Sequence, residues 1–263
     1  MSMLKFSDLL ALKKKLPLAK GVRVAAAHAC GLIALEKPPT IKSHPNANED
    51  EPCNRSMLQA DYNFDYEGFI WKDAAGKEKR FCLINRLDAP TSGVLLGAFS
   101  KELSDAVRDE FAHRRVRKTY YAIVKGKPKK EEEYWVDKLS RKTGDGKLWV
   151  EPGDDFHAKT RMKWLAMDAE EGTTSLLRLM PVTGRTHQLR VQCALHGCPI
   201  VGDRRYGDFT FNRTIAKTWD LKRLFLHAKE IELNFSYEGE QVEFKASSEL
   251  PLAFTTLYPS AEV

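Results

Sequence analysis

Ile84-Asn85-Arg86-Leu87-Asp88-Ala89-Pro90-Thr91-Ser92-Gly93-Val94-Leu95-Leu96 sets a single carboxylate among apolar neighbours. Asp88 follows Arg86 and Leu87 and precedes a Pro-Thr-Ser-Gly turn, from which an apolar run, 94–99, leads away. A charge in such a setting is costly unless a partner compensates it. Asp88 is therefore either a turn-capping side chain or a group with chemistry to perform.

Outward from this segment, strands and helices are interspersed and hairpins dominate. Upstream, Leu32-Ile33-Ala34-Leu35 predicts a short buried strand, stopped at Lys37-Pro38-Pro39 because proline cannot donate to a ladder. Residues 45–63, rich in Asn, Asp and Glu, predict an irregular connection. Segments 69–71 and 80–83 flank Asp73-Ala74-Ala75-Gly76-Lys77 and predict a hairpin. Downstream, Ser100 offers an N-cap to a helix reaching about His113, with Leu103, Val107 and Phe111 on one stripe.

Residues 119–124 predict a strand with Tyr120, Ala122 and Val124 on one face and Tyr121 and Ile123 on the other. Residues 125–155, rich in Lys, Gly and Glu, predict loops with short strands. Segments 160–167 and 173–180 predict a second hairpin. A helix is expected over 186–195, with Gly197 just beyond its end and Pro199 after that. Segments 224–226, 231–235 and 242–244 supply late strands. The class is α+β, a mixed, largely antiparallel central sheet flanked by helices and loops. No repeat or composition break marks a second domain.

With 263 residues, 43% hydrophobic and 30% charged, the chain has material for a substantial core. No run approaches the roughly 18 apolar residues of a membrane span, so no membrane partner is expected. Residues 1–20, with Lys13-Lys14-Lys15, predict a short helix and not a signal peptide, and a cytoplasmic location follows. The five cysteines (Cys30, Cys53, Cys82, Cys193, Cys198) are odd in number and form no C-x-x-C pair. They read as buried thiols, neither a disulfide framework nor a zinc site.

The net charge of +6 is concentrated: residues 101–130 carry ten Lys or Arg against four Asp or Glu. Arg114, Arg115, Arg117, Lys118, Lys125, Lys127, Lys129 and Lys130 surround Tyr120 and Tyr121. A solvated charge run is the plain reading; aromatic residues among cations also suit a single-stranded nucleic acid.

A third chemistry-capable stretch is Pro181-Val182-Thr183-Gly184-Arg185-Thr186-His187-Gln188-Leu189-Arg190, a glycine turn entering a helix. The start of such a helix suits a phosphate or a carboxylate. Arg190 close to Asp88 would hold the acid ionised, which fits a nucleophile or an ion-pair scaffold better than a general acid. No paired-carboxylate glycosidase pattern, G-x-S-x-G, H-E-x-x-H, Walker loop or G-x-G-x-x-G occurs. Each residue also has a structural reading: Asp88 as a turn cap, Tyr120 as a half-buried strand residue, Arg190 as a helix-surface ion pair, His187 as a helix-start hydrogen-bonder. Read singly, they give an RNA-binding α+β protein.

Taken together, the segments resemble the RluA-type family of RNA pseudouridine synthases. The Asp88 segment resembles the H-R-L-D-x-x-T-S-G motif. Lys118-Thr119-Tyr120-Tyr121-Ala122-Ile123-Val124-Lys125-Gly126 resembles K-x-Y-x-A-x-V-x-G. Thr183 to Val191, followed by Gly197-Cys198-Pro199-Ile200-Val201-Gly202-Asp203, resembles T-G-R-T-H-Q-[IL]-R-V with its G-x-P-[IL]-x-G-D tail. Glu36-Lys37-Pro38 resembles an opening N-K-P, and Leu226-His227-Ala228 a late L-H-A. Asn85 stands where the family most often has His, and Glu36 where Asn is usual.

The resemblance implies a short N-terminal extension over 1–30 and a catalytic domain over 31–263, without the family's frequent N-terminal accessory domain. It implies Asp88 as catalytic aspartate, Tyr120 as the ring against the target base, and Arg190 as the ionic partner of Asp88. Leu189 would pack the pocket, and Arg86 would displace the target uridine or fill its gap. Thr91, Arg185, His187, Arg117 and Lys118 complete the expected substrate-binding set. The implied partner is a stem-loop of rRNA or tRNA, met by a monomer with no obligate protein partner, cofactor or metal. Two other classes stay open: a non-catalytic RNA-binding protein and a nucleobase-releasing glycosylase.

Overall fold

The computed structural model describes residues 3–5, 8, 12, 14–45, 56–144, 147–168, 172–219 and 222–259. Cys53, much of the expected 1–20 helix and most of the 45–63 connection lie outside them. The chain forms two compact units, one from Met1–Val116 with Glu230–Ser248, the other from Arg117–Lys229 with Glu249–Val263.

Unit 1 contains β1 (Arg23–Ala27), β2 (Leu32–Lys37), β3 (Asp61–Asn63), β4 (Gly68–Lys72), β5 (Glu78–Leu83), β6 (Ser92–Ala98) and α1 (Lys101–Ala112). β1–β2, β2–β6, β3–β4, β4–β5 and β5–β6 pair antiparallel. Every residue of β6 is buried, so both its faces are covered. That explains why the 94–99 run is continuously apolar instead of alternating. Leu32, Ala34, Val94 and Leu96 meet Leu103 and Val107 of α1 in one core, as the expected helical stripe requires. Ser100 caps α1 by accepting the Leu103 N–H at 3.1 Å.

The expected hairpin is β4–β5. Its turn is built by Asp73, whose Oδ1 accepts the N–H groups of Ala75 and Lys77. β3 departs from the irregular connection expected there: its Tyr62 pairs with Phe69 across the ladder.

Unit 2 contains β7 (Arg117–Lys125), β8 (Glu132–Gly144), β9 (Lys147–Pro152), β10 (Phe156–Met167), β11 (Thr174–Pro181), α2 (Gln188–Leu195) and α3 (Phe209–Thr218). β7–β11, β11–β10, β10–β8 and β8–β9 are all antiparallel pairs. The long β8–β9 hairpin replaces the loops with short strands expected over 125–155. Its period was hidden because one inward position is a carboxylate: Asp137 sits between Trp135 and Leu139 and accepts from Gln192 Nε2 at 2.6 Å. α3 was not expected either, although Asp208 caps it by accepting the Phe211 N–H at 2.9 Å.

β12 (Leu226–Tyr237) begins in unit 2 and its later residues belong to unit 1, where it pairs antiparallel with β13 (Glu240–Ser247). The chain then contributes α4 (Leu252–Leu257) to unit 2. No helix among the described residues is long and apolar enough to cross a membrane.

His227, on β12 within unit 2, is only 1% exposed. Burial pushes its imidazole down to about 3, the charges of Arg223 and Lys229 act the same way, and the Glu249 backbone opposes them. With the folded value below the ordinary one, the unfolded chain takes up the proton first. The neutral ring thus contributes stability fully above pH 6.5, and that contribution fades as pH falls toward about 3. Wild type is expected to lose about 1.4 kcal/mol per pH unit from this one group below its ordinary pKa. Between pH 6.5 and 5, before carboxylates protonate, His227→Gln should flatten the stability curve measured by urea titration. An unchanged slope would assign the acid sensitivity to another group.

Candidate active site

The candidate residues divide between the units: Arg86, Asp88 and Thr91 belong to unit 1, and Arg117, Lys118, Tyr120, Arg185, His187, Leu189 and Arg190 to unit 2.

In unit 1, Asp88 is half-buried at the turn that feeds β6. The turn is closed by the Thr91 N–H on the Asp88 main-chain carbonyl at 3.0 Å, and Thr91 itself is 2% exposed. Gly93 has φ +114°, a conformation that a side chain would strain, which accounts for glycine there. Two side chains outside the expected set of site residues hold the turn, Lys37 of the opening motif and Ser43. Lys37, fully buried, donates from Nζ to the carbonyls of Pro38, Ile41 and Ala89 at 3.0, 2.8 and 2.8 Å. Ser43 accepts the Leu87 N–H and donates to the Leu87 carbonyl, both at 3.0 Å. The lysine of the opening motif is thus a clamp whose charge is spread over backbone oxygens.

Asn85, which stands where the resemblance expects His, is engaged with β6: its Oδ1 accepts the Leu96 N–H at 2.7 Å. Arg86 is exposed and bonds from Nη1 to Nε2 of His44 at 3.0 Å.

In unit 2, Tyr120 is half-buried on β7, opposite Leu179 of β11. Tyr121, Ala122, Ile123 and Val124 are all core residues, so this strand has both faces covered from 121 onward. Lys118 is also half-buried, and burial pushes its amine down to about 8. Arg117 is exposed. α2 starts at Gln188, two residues later than expected, because His187 takes a left-handed conformation (φ 53°) as its N-cap. Gln188 fixes that entry: its Oε1 accepts from Thr183 Oγ1 and the Arg185 N–H, and its Nε2 donates to the Lys159 carbonyl and Thr160 Oγ1. Gln192, one helical turn on, accepts from Thr160 Oγ1 at 2.6 Å. α2 ends as expected at Gly197, φ +75°. Leu189 is buried in the unit 2 core.

Arg190 is also buried and holds Asp203 with two bonds, Nε to Oδ2 at 2.7 Å and Nη2 to Oδ1 at 2.9 Å. Asp203 further accepts the N–H groups of Arg205 and Tyr206. Burial pushes the Asp203 carboxyl up, but the bonds and charge of Arg190 and these two N–H groups outweigh it and hold it below the usual carboxylate range. The Tyr206 ring lies 5.2 Å from the Arg190 guanidinium, and its hydroxyl meets His187 Nδ1 at 2.8 Å. Asp203 is the last residue of the G-x-P-[IL]-x-G-D tail; its motif was legible but its partner was not. Arg185 stands over the Phe156 ring at 5.4 Å.

The basic run is less free than its sequence suggests. Arg115 pairs with Glu110 and Asp109, Lys125 with Asp208, and Lys130 with Glu133. Lys127 lies over the Trp164 ring at 4.3 Å. Cys193 and Cys198 are buried thiols. Among the described residues no group of three His, Cys, Asp or Glu is placed to hold a metal ion.

These arrangements sit on a sequence with clear relatives. tRNA pseudouridine synthase C of Vibrio vulnificus is 34% identical over 172 residues, 62% of this chain and 70% of that protein. Ribosomal large subunit pseudouridine synthase C of Rickettsia typhi is 31% identical over 224 residues, 85% of this chain and 67% of that protein. Against tRNA pseudouridine synthase C of Pectobacterium carotovorum, at 33% identity, the match spans 47% of that protein. The fold matches human RNA pseudouridylate synthase domain containing 1, with a TM-score of 0.64 at 23% identity over 91% of this chain and 87% of that one. The family described as RNA pseudouridylate synthase matches residues 31–195, a stretch that contains the stapled Asp88 turn, the Tyr120 strand and the Arg190 helix. With more than half its length matched and all three segments inside the match, the chain belongs to the RNA pseudouridylate synthase family.

Proposed function

We propose that this chain isomerises uridine within RNA to pseudouridine, with Asp88 as the catalytic carboxylate. The observation that carries the reading is the Asp88 turn itself. A fully buried lysine and a buried serine immobilise its backbone while Asp88 itself stays half-buried in the turn that feeds β6. Such prepositioning is what a reacting group requires.

In the reaction the bond from uracil N1 to ribose C1′ breaks, the base rotates, and C5 bonds to C1′. The C5 hydrogen leaves to water and N1 gains a proton, so no redox or phosphate chemistry is involved. The base is inaccessible inside a helix and must be flipped out, at a cost of a few kcal/mol. Asp88 acts either by attacking the sugar or by taking its 2′ proton. Tyr120 is the ring for the flipped base, Leu189 packs its pocket and Arg190 supplies positive charge; Arg86 serves the displaced position. Thr91, Arg117, Lys118, Arg185 and His187 complete the RNA contacts. The catalytic region spans 31–263, behind a short extension over 1–30. The substrate is rRNA or tRNA, the enzyme acts as a cytoplasmic monomer, and it needs no cofactor.

The test is pseudouridine mapping in RNA from cells with and without the gene. A non-catalytic RNA-binding protein would leave RNA unchanged while binding it, and a glycosylase would release free uracil. Because Arg115, Lys125 and Lys130 are already paired, exposed Lys129 is the better probe of phosphate contact. Lys129→Ala should weaken binding mildly and reduce the slope of log affinity against log salt by about one. An unchanged slope removes this loop from the RNA.

A further inference from the structure

Unit 1 carries a connected row of rings for which the isomerisation has no use. Tyr62 of β3 stacks on His44, with centroids 4.8 Å apart and planes at 16°. Phe64 stands edge-on to Tyr62 at 5.1 Å, and fully buried Phe69 backs Tyr62 at 5.1 Å. The row thus runs from the core outward to Phe64, which is 46% exposed.

His44, stacked on Tyr62, is tied to Arg86. His44 Nδ1 lies 2.6 Å from the Pro45 carbonyl, and a carbonyl can only accept, so Nδ1 carries the hydrogen. Nε2 is left with its lone pair toward the Arg86 guanidinium, which can only donate. Burial and the Arg86 charge both keep this imidazole below its ordinary pKa, consistent with a neutral ring. Position 85 holds an asparagine engaged with Leu96, so the imidazole beside Arg86 comes from position 44.

Charge decides what such a row can receive. Asp61 and Asp65 are exposed beside Tyr62 and Phe64, on β3 and its connection to β4, and Glu67 is occupied by Arg108 at 3.0 Å. Phosphates are therefore repelled from the 61–65 stretch and attracted toward Arg86 and Lys42, whose charges act on His44. An uncharged π-face suits the ring row itself.

We propose that His44, Tyr62 and Phe64 form a stacking site for an unpaired nucleobase flanking the target uridine, coupled to Arg86 through His44. The assignment rests on the proposed RNA isomerase reading and adds to it the neighbour that the enzyme recognises.

The probe is a short RNA hairpin built around the mapped uridine, carrying 2-aminopurine or an abasic ribose on its 5′ or 3′ side. If no uridine maps, oligouridylate carrying 2-aminopurine takes its place. Wild-type enzyme should quench the 2-aminopurine on one flank, and Phe64→Ala should restore its emission. Phe64→Ala should weaken binding of the intact RNA about ten-fold, yet leave the RNA abasic at that flank unaffected. Phe64 is exposed enough to be truncated without unfolding the chain; melting checks this, and His44→Ala serves as the second variant. Equal losses on intact and abasic RNA, or no quenching on either flank, overturn the stacking site. Quenching without any pseudouridine formation keeps the site and removes the isomerase. Normal isomerisation with no quenching does the reverse.

Discussion

Asp88→Asn should reduce release of tritium from uracil C5 in RNA by about a thousand-fold or more while leaving the fold intact. The substitution keeps size and shape and removes only the charge and basicity. The backbone of the turn is held through other atoms: Thr91 donates to the Asp88 main-chain oxygen, Lys37 to three other carbonyls, and Ser43 to Leu87. The melting temperature should therefore move little, and RNA binding should persist through contacts made elsewhere. Comparable tritium release by wild type and variant would dismiss Asp88 as the catalyst. Loss of folding would instead mean that the carboxylate is part of the staple. Gel-shift binding with bulk tRNA and rRNA separates loss of chemistry from loss of substrate.

Much of the fold was legible where local chemistry decides structure. Ser100, Asp73 and Gly197 are a cap, an Asx turn and a helix terminator whatever surrounds them, and each acts as its residue type dictates. The 132–152 hairpin was not legible, because an inward Asp137 breaks the apolar alternation and its excuse, Gln192, lies 55 residues away. For the same reason motifs located the site better than they explained it. Lys37 reaches the Ala89 carbonyl 52 residues away, Ser43 the Leu87 carbonyl 44 away and Asp203 the Arg190 guanidinium 13 away, and their residue types alone do not predict such partners. The basic run shows the opposite failure: counting charges from 101 to 130 overlooks Asp208 and Glu133, which lie outside that stretch and pair with Lys125 and Lys130.

Arg190→Ala should cost about 3–5 kcal/mol of stability, because it strands the Asp203 carboxylate, which is 1% exposed. For a chain of this size that is a fall in melting temperature on the order of 10 °C. The sign with pH follows from the depressed Asp203 pKa. The pair contributes stability above the ordinary carboxylate value and loses it as pH falls through the folded one, so wild type and variant should converge in acid. Arg190→Met combined with Asp203→Asn separates structure from chemistry. The amide oxygen still accepts the N–H groups of Arg205 and Tyr206, and the charge that Arg190→Ala strands at position 203 is removed. The double variant should regain about half of the lost stability and none of the activity, since the positive charge assigned to the reaction is gone. Wild-type melting of Arg190→Ala would show that the pair is no strut. Activity restored along with stability in the double variant would reduce Arg190 to a structural residue and withdraw its part in the reaction.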